Sequence, residues 1–335
     1  MNSCKSAASG ERTPFKLSPA SKDYLWGGSR LNNDFNFGLP VYPLAEAWVC
    51  SSHPDGVAAV PSLDCSLSEL LSEHPSILGT HPLSITGGRA ELPILIKLID
   101  AKKDLSVQVH PDDEYAKAEG QWGKTEMWYV LSARPGSELV YGFNRDVDKT
   151  TVREAIENGS IISLLNHVPV QTNDLFFVEP GTVHAIGAGI LLAEIQQSSN
   201  LTYRLYDYGR VDKNGKQREL HIDKALDVVN LHSSAIPRQP MRVLKYGRGC
   251  ARELLTRCKY FQVERMLLNT ETTRSLVPFQ TSTNSFHALL IVDGCGNISW
   301  DGGSMNFFKG DCVFVPAESI PLLLHGKAQL LDVSC

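Results

Sequence analysis

The chain has no long apolar run. None of its 335 residues stands in an uninterrupted hydrophobic stretch of the ~20 residues that a membrane helix needs. The first residues carry no apolar core of the kind found in a signal peptide. No membrane partner is expected. An excess of positive charge is also missing: 32 Lys and Arg stand against 37 Asp and Glu, for a net charge of −5. Nucleic acid and anionic membrane surfaces need clustered cations, so neither is expected as a partner. Paired cysteines are absent too. Cys4, Cys50, Cys65, Cys250, Cys258, Cys295, Cys312 and Cys335 are scattered, with no CxxC among them. That spacing excludes a zinc ribbon or finger. In a chain this long it reads as reduced thiols of a cytoplasmic protein, not as a disulfide framework.

What is present is a series of short apolar runs bounded by Gly, Pro and Asp: 92–99, 127–131, 175–178, 190–195, 288–292 and 312–315. Runs of this length with turn residues at both ends predict strands. Many at close spacing predict an antiparallel sandwich or barrel, a mainly β fold. Helices are few. Ser66 with Glu69 forms a capping box that opens a helix over 67–73, closed by Pro75. Thr151 with Glu154 predicts a second over 152–158, stopped at Gly159. A third is expected within 219–229. The segment 174–180 (DLFFVEP) resembles 311–316 (DCVFVP), a weak repeat that suggests two barrels in tandem. Periodicity is lost over 232–245, which places the domains at 1–235 and 236–335. Four residues after Pro180 stands His184, whereas four after Pro316 stands Ile320. Only the N-terminal barrel is therefore expected to carry a metal site.

That site begins with Leu105-Ser-Val-Gln-Val-His-Pro111. Alternation along a strand puts Ser106, Gln108 and His110 on one face. Buried polar groups need partners, and one cation satisfies an imidazole nitrogen and an amide oxygen together. Glu126 opens the strand EMWYVL, and His184 lies in the turn PGTVHA. Two imidazoles, a carboxylate and an amide oxygen suit one divalent ion per chain. The set suits a borderline ion such as zinc; Mn²⁺, Fe²⁺ or Co²⁺ also fit, and ligand type alone does not choose among them.

SVQVHPDD, GKTEMWYVL and PGTVHAIG, in that order, resemble the type I mannose-6-phosphate isomerases of the cupin superfamily, in their short bacterial form. Trp26-Gly-Gly, Glu46-Ala-Trp48 and Tyr203-Arg-Leu-Tyr-Asp207 add to the likeness, which spans residues 26 to about 230. The resemblance implies two tandem cupin (jelly-roll) domains with a few short helices, the second degenerate. It implies Gln108, His110, Glu126 and His184 as metal ligands. Arg204, Lys124 and Glu194 match active-site positions. Lys97, Ser106 and Arg210 match positions that hold phosphate, Arg210 standing where longer members carry Lys. Asn200 stands where relatives often have Asp.

The activity implied is interconversion of mannose 6-phosphate and fructose 6-phosphate through an enediol(ate). Such a reaction needs a base, a stabiliser for developing oxyanions and a grip on the phosphate. Glu194, on an apolar strand, is expected to have a desolvation-raised pKa that suits a base. Each residue also has a plainer reading. Glu194 can orient a ligand histidine, Lys124 can neutralise Glu126 or phosphate, Arg204 can pair with Asp207, and Lys97 can snorkel to solvent. Trp26 and Trp128 read as packing. A small sugar phosphate is the expected partner, with a monomer or weak homodimer as the assembly. A dioxygenase-type metal cupin and a non-catalytic sugar-phosphate binder are the alternatives.

Overall fold

The computed structural model describes residues 12–335 except 36, 212–214, 236 and 238. Cys4, and Ile236 at the expected domain division, lie outside the described residues.

Two antiparallel sheets make the first β-unit. One has six strands in the order Leu175–Val178, Glu126–Ala133, Ile190–Gln197, Ile94–Ala101, Glu46–Cys50 and Ala20–Lys22. The other has five: Leu165–Pro169, Glu138–Phe143, His184–Ile186, Val107–Val109 and Tyr203–Tyr206. Between them lies a core that includes Ile99, Trp128, Leu139, Phe176, Ile186 and Leu192. On the outer face of the five-stranded sheet, helices Lys149–Glu157 and Ile222–Val228 cover Val107, Val109 and Leu205.

The outer face of the six-stranded sheet packs on the second β-unit. There Leu98, Ala193 and Ile195 share a core with Leu255, Phe261, Phe286 and Val333. Strands Ile94–Ala101 and Ile190–Gln197 are thus buried on both faces, all sixteen residues of them. This is why they read as near-continuous apolar runs and not as alternating ones. It also fixes parity. Ile96 and Leu98 face the second unit, so Lys97 points between the two sheets of the first. The same alternation points Glu194 inward from its own strand.

The second unit is a nine-stranded sheet built on the long strands His287–Trp300 and Leu322–Ser334. One of its edge strands comes from the other end of the chain: Phe15–Leu17 pairs with Cys312–Val315, Phe15 opposite Phe314. The strands of the weak repeat, Leu175–Val178 and Cys312–Val315, both form with the bounds expected for them. Ile320 packs against an apolar core, in contrast to His184.

The capping box at Ser66 and Glu69 forms as expected, opening Leu67–Glu73. The second helix starts earlier than expected. Asp148 caps it by accepting from the Thr151 N–H, so the helix is Lys149–Glu157. The Asp148 carboxylate satisfies a free amide of the first turn, that of Thr151, so the helix begins three residues before the expected Val152. The third helix is Ile222–Val228.

Candidate active site

One row across the five-stranded sheet builds half of the site. Gln108 is the register partner of His184 on one side and of Arg204 on the other. A row across the facing sheet builds the other half: Trp128, Glu194, Lys97 and Trp48 stand side by side. Glu126, two residues before Trp128 on the same face, completes it.

Among the described residues, one group of His, Cys, Asp and Glu side chains can hold a metal: His110, Glu126 and His184, all buried. The His184 and His110 Nε2 atoms are 3.2 Å apart. Glu126 Oε1 is 3.4 Å from His184 Nε2, and Oε2 is 3.6 Å from His110 Nε2. Zinc bound tetrahedrally at about 2.0–2.1 Å requires ligand separations of about 3.3–3.4 Å, and these three bracket that value. His184 Nδ1 donates to the Thr182 carbonyl at 2.8 Å, which leaves the Nε2 lone pair aimed inward. Burial pushes His184 down to about 4, against the pull of Thr182, and pushes His110 well below the usual histidine range, with Lys124 adding to it. Both rings are neutral at pH 7, as ligands must be. Burial pushes Glu126 up to about 7, and neither of its oxygens accepts a well-formed hydrogen bond. Two imidazole nitrogens and a carboxylate converge there, with the Lys124 ammonium beside them, and that donor set fits a divalent cation. The Gln108 amide reaches this cluster, its nitrogen 3.4 Å from His184 Nε2; the amide's two ends are interchangeable by rotation.

Lys124 Nζ lies 2.9 Å from Glu126 Oε2 and 3.0 Å from His110 Nε2, and 4.0 Å from Glu194 Oε1. Lys97 does not snorkel. It is 4% exposed and held between Glu194 at 3.1 Å and Glu46 at 3.8 Å, over the Trp48 ring. Trp48 Nε1 donates to Glu46 and Trp128 Nε1 donates to Glu194. Trp128 is therefore more than packing. The expected rise in the Glu194 pKa is overturned: burial pushes it up, but Lys97 and Lys124, with the Lys97 and Trp128 hydrogen bonds, outweigh burial and hold it at about 2. Glu194 touches no ligand histidine.

A cavity of about 300 Å³ opens beside this network. Gln108, Lys124, Glu194, Lys97, Ser106 and Arg204 line it, together with Trp26, Tyr24, Glu46, Asn200, Thr202 and Arg218. Arg204 does not pair with Asp207. Its Nε donates to Ser106 Oγ and its Nη1 to the Glu219 carbonyl. Burial and the neighbouring Arg218 push its pKa down, a sign of crowded positive charge. Arg210, the expected phosphate ligand, is absent from the cavity wall. Asp207 and the Asp104 carbonyl hold it. Asn200 turns to Asp55, donating at 2.8 Å. Sequence reasoning missed Arg218, Tyr24 and Thr202 and gave Glu46 no role. The one available signal was an acidic residue, Asp207, followed by two arginines on an otherwise polar stretch.

Residues 14–134 match the family model for the phosphomannose isomerase type I catalytic domain, and residues 251–335 match that for the mannose-6-phosphate isomerase cupin domain. The chain is 35% identical over 323 residues to mannose-6-phosphate isomerase ManA of Bacillus subtilis (strain 168), covering 95% of this chain and 98% of that one. It superposes on the crystal structure of a mannose 6-phosphate isomerase from Bacillus subtilis with a TM-score of 0.85 at 31% identity, covering 96% and 99% of the two chains. A zinc-bound mannose 6-phosphate isomerase shares the fold, with a TM-score of 0.73 at 16% identity and coverage of 96% and 98%.

Proposed function

The chain belongs to the type I mannose-6-phosphate isomerases, and from that premise we propose how its own residues interconvert mannose 6-phosphate and fructose 6-phosphate. One observation carries the reading: Gln108 and Lys124, which touch the metal-ligand cluster, line the same sugar-sized cavity as the guanidinium groups of Arg204 and Arg218. The cluster suits the carbonyl end of the substrate, the guanidinium groups its phosphate.

His110, Glu126 and His184, with Gln108 as a fourth ligand, would hold zinc, which would supply Lewis-acid polarisation of the sugar oxygens. From mannose 6-phosphate, the proton on C2 must leave, charge must spread over O1 and O2 of the enediol(ate), and a proton must return to C1. Lys124 is the group we assign to proton movement, since its Nζ borders both the cavity and the ligand cluster. Glu194 is ionised and clamped by Lys97 and Trp128, so its part is to fix both lysines. Arg204 supports the oxyanion side from a fixed plane, held by Ser106 and the Glu219 carbonyl. Trp26 walls off water. Division of labour between a catalytic unit, residues 1–235, and a second cupin, residues 236–335, belongs to the same proposal, as do a cytoplasmic location and a monomeric or weakly dimeric state. The location is supported by free cysteines throughout the described residues. No helix among those residues is long and apolar enough to cross a membrane.

Neither alternative is favoured: a dioxygenase leaves Arg204 and Arg218 without a task, and a non-catalytic binder gives none to the metal-ligand cluster. The test is direct. Metal-free and zinc-loaded protein are incubated with mannose 6-phosphate and assayed for fructose 6-phosphate. Turnover only with metal is expected, and no turnover with metal sinks the reading.

A further inference from the structure

Three guanidinium groups gather around one carboxylate. Asp207, 5% exposed, accepts from Arg218 Nε at 2.8 Å and Nη2 at 2.5 Å, and from Arg210 Nη2. Arg204 stands within electrostatic reach of all of them. The cluster carries a surplus of two positive charges. A phosphate monoester carries about −1.5 to −2 at pH 7.

The three arginines are not equally able to meet it. A guanidinium has five N–H donors on three nitrogens. Arg210 has committed all three nitrogens: Nε to the Asp207 carbonyl, Nη1 to the Asp104 carbonyl, Nη2 to the Asp207 carboxylate. It also lies over the Tyr208 ring, away from the cavity. Arg218 has committed Nε and Nη2 to Asp207, and its Nη1 makes no hydrogen bond among the described residues. Arg204 likewise leaves Nη2 uncommitted among them. Both line the cavity, and so does Ser106, whose hydroxyl accepts from Arg204 and donates to no group among the described residues. Lys97 cannot replace them. Its ammonium is already engaged by two carboxylates, Glu194 at 3.1 Å and Glu46 at 3.8 Å, and has little charge left uncompensated for an anion.

The chain delivers Arg218 by a short excursion. Tyr208 and Gly209, with φ of 57° and 64°, turn the backbone just after Asp207. A bridge between Val211 and Gln217 closes the excursion and sets Arg218 back over the same carboxylate. Ser106 stands just before the strand Val107–Val109, two residues from Gln108. Ser106, Arg204 and Arg218 thus line the same cavity as Gln108, whose amide reaches the metal-ligand cluster.

We infer that Arg218, with Arg204 and Ser106, grips the substrate phosphate, and that Arg210 is a strut that holds Asp207 in place to aim Arg218. This rests on the sugar-phosphate reading above and names the residue that selects for the phosphorylated sugar.

The test uses full-length, zinc-loaded protein, with Arg218→Gln, Arg218→Lys and Arg210→Gln made in parallel. Zinc content and thermal midpoint are measured first, then kcat and KM for mannose 6-phosphate, then competitive inhibition by inorganic phosphate. Loss of one charge-assisted contact predicts that Arg218→Gln raises KM and the phosphate inhibition constant together by about 10- to 100-fold, with kcat changed far less. Arg218→Lys keeps an ion pair with Asp207 and recovers part of the loss. Arg210→Gln lowers the thermal midpoint and weakens phosphate binding by less than Arg218→Gln does, since it loosens the aim of Arg218 but removes no direct contact. Wild-type phosphate affinity in Arg218→Gln overturns the inference, and so does a larger effect from Arg210→Gln. Should Arg218→Gln fail to fold, an unchanged phosphate constant in Arg218→Lys overturns it equally. Wild-type protein that binds inorganic phosphate but does not isomerise the sugar overturns the functional reading instead, so the two failures are distinct.

Discussion

Lys97 and Glu194 are register partners on adjacent strands, and their side chains meet 3.1 Å apart between the two sheets of the first unit. The pair is buried, and each member has a further partner in Glu46 or Lys124. Removing one charge from such a pair strands the other in a poorly solvating place. Glu194→Gln is expected to cost on the order of 3 kcal/mol in urea unfolding. The carboxyl titrates at about 2 in the folded chain against 4.5 ordinarily. A depressed pKa stabilises above the ordinary value and is lost as pH falls toward the depressed one. The wild-type thermal midpoint should therefore fall between pH 4.5 and pH 3 more steeply than that of Glu194→Gln. The mutant should lower kcat while leaving the shape of the pH profile near neutrality unchanged. A neutral-pH limb that disappears in Glu194→Gln would return the base role to Glu194.

Metal removal has a readout apart from turnover. Zinc that binds the folded chain at one hundred times its dissociation constant adds about 2.7 kcal/mol of stability. Chelation should lower the thermal midpoint reversibly, and zinc should restore it at one ion per chain. His184→Ala and Glu126→Gln should each abolish the zinc-dependent shift. A shift that survives in Glu126→Gln places the ion elsewhere.

Gln108 contributes a neutral amide, the weakest donor of the four. Gln108→Ala is expected to weaken zinc binding by about tenfold, the scale of losing a supporting group and not a charged ligand. Competition with a metal indicator measures this. Because Gln108 also separates His184 from Arg204 across the sheet, the same variant should raise KM.

Trp26-Gly27-Gly28 is explained by close approach. A Cβ on Gly27 would lie 2.5 Å from Ala45 Cβ and 2.6 Å from its Cα, and one on Gly28 would lie 2.2 Å from Asp100 Oδ2. Backbone at that distance cannot yield cheaply. Gly27→Ala should destabilise by about 1–3 kcal/mol and, by shifting Trp26 from the cavity wall, raise KM with zinc content intact. Calorimetry and kinetics on one preparation check both.

The sequence was most readable where the interaction is local. The Ser66–Glu69 capping box closes within three residues and forms as expected. Asp148 displaced Thr151 as the cap because the sequence holds two capping residues three apart, and the helix starts at the earlier one. The metal ligands were readable because they stand at strand ends as polar residues on apolar runs. The parity of Lys97 was not readable, since it depends on which strands pair and on a second unit covering the far face. The Glu194 pKa followed from that unknown: without Lys97 across from it, burial alone would have raised it. Arg218 left no periodic trace, because its place is set by a turn after Asp207 and not by a regular element.

The pairing of Phe15–Leu17 with Cys312–Val315 has a bearing on how the molecule is made. The partners stand about 300 residues apart along the chain. During synthesis the N-terminal strand emerges among the earliest segments, and its partner among the last. For nearly the whole of that interval it has an open edge and an uncovered apolar side. Closing so long a loop is slow, and the outer face of the six-stranded sheet waits for the same event. A nascent chain stalled short of residue 312 is therefore expected to leave that strand edge unpaired and to aggregate more readily than the finished protein.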